Sequence, residues 1–151
     1  ITAELLNAQT YRLENYKEWE RVKNEYNALA FEALKLYYLI PESHKDAFDQ
    51  LVLFPIQACA NLYEMYYAQA MNLTLAEMHD IEANKWASQV EACFTRDSIL
   101  THRFHHVMSN GKGNHIMEQT HIGYRYWQQP DQNTQPRTNP ATTFPQAEDA
   151  A

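Results

Sequence analysis

Apolar residues recur at alternating spacings of three and four along most of the chain. Trp19, Val22, Tyr26, Leu29, Ala33, Leu36 and Ile40 form one such stripe, which predicts an amphipathic helix over Tyr16 to Leu39. Asn15 followed by Glu18 has the form of a capping box at its start. Pro41 stops it, because the residue before a proline avoids the helical region.

A second stripe, Phe48, Val52, Pro55, Cys59, Leu62 and Tyr66, predicts a helix from near Ser43 to about Ala70. Leu51, Ile56, Ala58 and Met65 make its other faces apolar, so this helix belongs at the centre. Pro55 removes a donor and crowds the preceding turn, which predicts a kink or short break there. A third helix is expected after Thr74, with Glu77 in the capping-box position and Met78, Trp86, Val90 and Phe94 turned inward. It ends near Thr95 and leads into a fourth helix, about Asp97 to Ser109, carrying Leu100, Phe104 and Val107. Asn110 and Gly111 then supply a left-handed stop. Short connections imply antiparallel neighbours. The expected fold is therefore all-α: an antiparallel bundle of four to five helices with a proline-kinked second helix. An irregular C-terminal loop and tail follow it.

Composition agrees with helices, since three glycines in 151 residues are too few for the turns of a sandwich or barrel. No apolar run approaches the roughly 18 residues of a membrane span. The start, "ITAELLNAQTYRLENY", reads as the interior of a longer protein. After Pro130 the chain has three more prolines and few apolar residues, which predicts a mobile tail or linker over 131–151 and a bundle domain over 1–130.

The net charge of −7 argues against nonspecific nucleic-acid binding. Its distribution is uneven. Residues 96–127 hold four Lys/Arg against two Asp/Glu and five of the seven histidines, so the one positive stretch would suit an anionic small molecule. Cys59 and Cys93 fall on apolar helix faces, outside any CxxC motif, and read as core. Nothing sets a histidine beside Cys93 for nucleophilic catalysis. His102, His105 and His106 share one helix as "HRFHH". That lacks the glutamate a zinc-protease helix needs, and no acid or cysteine spacing completes a metal set with His115 and His121. "GKG" is not a phosphate loop either. No metal, cofactor or complete catalytic set is expected in this chain.

All three glycines lie in "GKGNHIMEQTHIGYRYWQQP", Gly111 to Pro130. His121, Tyr124, Tyr126 and Trp127 offer flat apolar faces with polar edges. Asn114, Gln119, Gln128 and Gln129 offer amides, a combination suited to sugar rings rimmed with hydroxyls. The same aromatics could equally plug the open end of a bundle.

This segment resembles a signature of glycoside hydrolase family 115, the xylan α-glucuronidases. Upstream, "NYKEWERVKNEYNAL", "AFDQLVLFPIQACANLYEMYYAQAMN" and "FTRDSILTHRFHHVMSNGK" look like the helical-bundle domain of that family. The resemblance covers about Gln9 to Pro130, and departs at Gly113, where the family usually has Trp. It implies a multidomain enzyme with an α/β domain, a TIM-like barrel, this bundle and a C-terminal β-sandwich. Such an enzyme removes α-1,2-linked glucuronic or 4-O-methylglucuronic acid from xylan with inversion. Its acid and base would stand roughly 6.5–9.5 Å apart in the barrel region, upstream of Ile1, leaving this chain without catalytic residues of its own. His115, His121, Tyr124 and Trp127 become candidates for a substrate pocket or domain interface. The implied partners are the neighbouring domains and a glucuronoxylan-type polysaccharide, with no nucleic acid or membrane, in a periplasmic or secreted setting. A non-catalytic structural or interaction bundle is the alternative.

Overall fold

The computed structural model describes residues 6–14, 17–107, 121–122 and 132–142. Most of these residues are helical, with no strand among them. The chain order is α1 (Glu18–Leu39), α2 (Glu42–Phe48), a π-helical turn (Asp49–Leu53), α3 (Phe54–Glu77), α4 (Ala83–His102) and a second π-helical turn (Arg103–Val107). No helix among the described residues is long and apolar enough to cross a membrane.

The first helix ends as its sequence predicts: Ile40 donates its N–H to Leu36 O at 3.1 Å, and Pro41 follows. Its start is built differently. Lys17 stands at the cap in the left-handed region with φ 49° and no capping side chain. The Glu18 carboxylate accepts the Arg12 N–H at 3.1 Å, and Asn15 lies outside the described residues.

The next boundaries need correction. A π-helical turn, Asp49–Leu53, joins α2 to α3 without a break in helical conformation, and Pro55, which has no N–H to give the ladder, is the second residue of α3. Helix α3 runs on to Glu77, past the break expected at Ala70 to Thr74. Leu73 packs on the core and continues the helical face, while Thr74 O accepts the Met78 N–H at 3.3 Å rather than capping a new helix. His79, at φ 55°, reverses the chain. Asp80 Oδ1 then accepts the Glu82 N–H at 2.9 Å and prepares α4. Met78, expected inward, is exposed because it falls beyond the end of α3. The third and fourth helices expected on either side of Thr95 are one, α4, which passes through Asp97 without interruption.

Helix α3 is central, packing on both α1 and α4, with buried residues on several faces from Ala60 to Asn72. Both neighbours run antiparallel to it. Along α4, Cys93 meets Asn61, Trp86 meets Tyr67 and Ala83 meets Asn72. Along α1, Asn27 meets Glu64 and Lys23 lies over Tyr67. The core centres on Met65, Ala68, Val90, Cys93 and Trp19, with Leu6 and Ile122 brought in from outside the helices. Trp19 is wholly buried, donates from Nε1 to Ala8 O at 2.9 Å and meets Tyr11 edge to face. The 6–14 segment is thereby closed over the base of α1.

Two sequence expectations look different in three dimensions. The apolar stripe of α1 outruns its cover, since Leu29 and Leu36 are each 50% exposed. Residues 132–142, assigned by composition to a tail, include a stretch bonded along α3 and α4. Gln69 donates to Arg137 O, while Asn72 and Asn84 pair with the main chain of Asn139 and Ala141.

Candidate functional site

Asp97 occupies the position on α4, between Cys93 and Leu100, where the stripe calls for an apolar side chain, and it is 4% exposed. A carboxylate at that depth is destabilising unless a donor faces it. His121 is that partner, with Nε2 at 2.8 Å from each Asp97 oxygen. The backbone beside it is held separately. The Asn133 carboxamide oxygen accepts the N–H of His121 at 2.8 Å and of Ile122 at 3.0 Å. Thr134 donates its N–H to Ile122 O at 3.2 Å, and the Ile122 side chain is fully buried. Side chain, backbone and an apolar anchor thus fix the middle of the glycine-bearing motif to the bundle.

An apolar cleft of about 410 Å³ opens beside the pair. Phe54, Pro55 and Leu62 of α3 face Leu100 and Phe104 across it, and Asp97 and His121 are among its few polar lining groups. The two π-helical turns meet at the same end. The ring of Phe104 in the second turn lies 4.5 Å from that of Phe54, the first residue of α3. Arg103 Nη2 donates to Asp49 Oδ1 at 3.1 Å and to Gln57 Oε1 at 2.9 Å. Burial pushes the Asp49 carboxyl above its usual range, and the Arg103 guanidinium opposes that rise. Arg103, one of the cations behind the positive balance of 96–127, is therefore turned to an internal carboxylate.

Cys59 lines the cleft, and burial raises its thiol. Cys93 is 0% exposed, and burial pushes it up to about 11. A raised thiol pKa withholds the thiolate, so neither is activated as a nucleophile. The rings of His102 and His106 lie 4.6 Å apart, but among the described residues no group of three His, Cys, Asp or Glu could hold a metal ion.

Of the four motif residues singled out by sequence, His121 is placed at this cleft, while His115, Tyr124 and Trp127 lie outside the described residues. Asp97, expected at the start of a helix, is a site residue that the sequence reading does not single out. The available signal was an acid at a core position of a three-four repeat. No family model matches the chain, and no curated protein does.

Proposed function

We propose that this chain is the helical-bundle domain of a larger inverting glycoside hydrolase of the xylan α-glucuronidase kind, and that it presents the segment around His121 to the substrate pocket or a domain interface. The carrying observation is the grip of buried Asp97 on His121. A loop that only plugged the bundle would be served by an apolar residue at position 97, with no carboxylate to desolvate. A paired carboxylate instead fixes the orientation of one imidazole at the mouth of a cleft, which is how a substrate-facing ring is held. The resemblance of the surrounding motif to family 115 supplies the chemistry: removal of glucuronic or 4-O-methylglucuronic acid from xylan outside the cytoplasm. The acid and base belong to another domain.

The same reading keeps a bundle of four to five helices with a kinked second helix as the architecture of the whole domain. The π-helical turn ahead of Pro55 supports the kink. A second reading, a non-catalytic interaction bundle, is favoured by exposed apolar side chains on α1, among them Leu39 at 80% and Phe31 at 62%. Release of the uronic acid from a glucuronoxylan oligosaccharide tests the choice. In the parent enzyme, Asp97→Asn is expected to lower kcat/KM by about 10²-fold, the scale of a misplaced catalytic-site group. Melting of the bundle should move much less. Activity that falls only in step with the folded fraction would favour the interaction bundle. The isolated chain is expected to release none; release that a substitution within the chain abolishes would overturn the domain reading.

A further inference from the structure

Residues 137–141 are held to the helices by five side-chain hydrogen bonds, and each ends on the main chain of the segment. Gln69 Nε2 donates to Arg137 O at 2.9 Å. Asn72 donates to Asn139 O at 2.9 Å and accepts the Asn139 N–H at 2.8 Å. Asn84 does the same for Ala141, at 2.9 and 3.0 Å. The bonded residues, 137, 139 and 141, follow the two-residue period of an extended chain. Pro136 and Pro140 fall in the other register, where no N–H is used, and their fixed φ favours the extended form.

The helices hold their side of this contact ready. Asn72 is 0% exposed, and its Nδ2 also donates to Ala83 O at 2.8 Å. The first residue of α4 therefore orients that carboxamide whether or not a segment lies against it. Ala141 is 6% exposed, so the second bonded position takes a small side chain. Gln69, Asn72 and Asn84 stand on both sides of the α3–α4 turn and together read N–H and C=O groups, with little demand on sequence.

We propose that the α3–α4 end is a docking groove for an extended, proline-spaced peptide read through its main chain, which this chain fills with its own residues 137–141. The inference is independent of the hydrolase reading. Its test uses the full chain carrying Asn139→Pro and Ala141→Pro, whose own segment has lost both N–H groups the groove accepts. A labelled peptide spanning residues 132–142 should bind this variant and bind the unvaried chain far less, because there the groove is occupied. A peptide with Arg137, Thr138 and Asn139 changed to Ala should bind within about threefold of the first. One carrying Asn139→Pro and Ala141→Pro should bind about 10²-fold more weakly, about tenfold for each lost bond. Equal binding of the proline peptide, or no preference for the variant chain, would overturn the proposal. Should the variant lose its helical circular dichroism, hydrogen exchange on the unvaried chain decides. The Asn139 and Ala141 amides should exchange slowly and those of Thr138 and Thr142 fast, and a common rate for all four would count against the groove.

Discussion

Trp19 joins three things at one side chain: the base of α1, the 6–14 segment and the face of α3 around Tyr63. Trp19→Ala is expected to lower unfolding free energy by about 3–5 kcal/mol, the usual cost of deleting a buried indole. Trp19→Phe keeps one aromatic ring but loses the bond to Ala8 and part of the indole volume, so it should cost less than Trp19→Ala and more than the hydrogen bond alone, about 1 kcal/mol; denaturant melts of both check that order. Cys93 makes a prediction in pH. Burial raises its thiol from 9.0 to about 11, so the folded state keeps its proton where the unfolded state has lost it. Stability from this group is complete below about pH 9 and is lost as pH rises through 11. A Cys93→Ala variant should show a shallower alkaline decline than the unvaried chain, even though its cavity lowers stability at neutral pH. The sequence was informative at Trp19 and Cys93 because apolar periodicity and burial agree there. It misled at Asp97, where a polar residue inside a helical stripe looks like a cap until the partner, 24 positions away, is seen.

At the scale of elements, the stripes correctly announced helices and a central α3, while boundaries moved wherever a cap motif competed with a continuing apolar face. Thr74 and Glu77 have capping-box spacing, yet Leu73 packs on the core and keeps α3 going to Glu77. Asp80, after the His79 reversal, provides the competing turn chemistry. The pairing of the two π-helical turns had no local signature at all, because Asp49 and Arg103 lie 54 residues apart. Their bond is testable. The side chains are 32% and 11% exposed for Arg103 and Asp49, so breaking the pair should cost about 1–3 kcal/mol, below the 3–5 of a fully buried one. In Arg103→Met the Asp49 carboxyl, already raised by burial, loses the charge that restrains it and rises further. A raised carboxyl favours folding at low pH and loses that advantage as pH climbs through its folded value. The penalty of Arg103→Met should therefore be larger at pH 7 than near pH 4, read as the difference in denaturation midpoint from the unvaried chain at each pH. A penalty independent of pH would assign the effect to packing of the arginine stem.

For the whole molecule, the exposed leucines of α1 set the question of what surrounds the bundle. Leu29, Leu36 and Leu39 are 50%, 50% and 80% exposed, while Ala33 on the same helix is buried. Exposed apolar side chains gathered into a patch mark interaction surfaces, whereas scattered ones are ordinary. The stripe itself was legible in the sequence. That Leu29, Leu36 and Leu39 would stay half exposed or more was not, because periodicity reports which face is apolar and says nothing of how far a packed neighbour covers it. The combined change Leu29→Gln, Leu36→Gln and Leu39→Gln separates an intrinsically exposed face from one that would be covered in the larger enzyme proposed above. In the isolated chain each substitution removes little buried area and should cost within about 0.5 kcal/mol. In the proposed larger enzyme, if a neighbouring domain covers this face, the same substitutions bury amides without partners and cost about 1–3 kcal/mol each. Thermal unfolding of both proteins reads the contrast: an unchanged midpoint for the chain and a lowered or split transition for the parent. Equal, small shifts in both would leave the α1 face in solvent even in the proposed larger protein, and would remove the main observation favouring an interaction role for this helix.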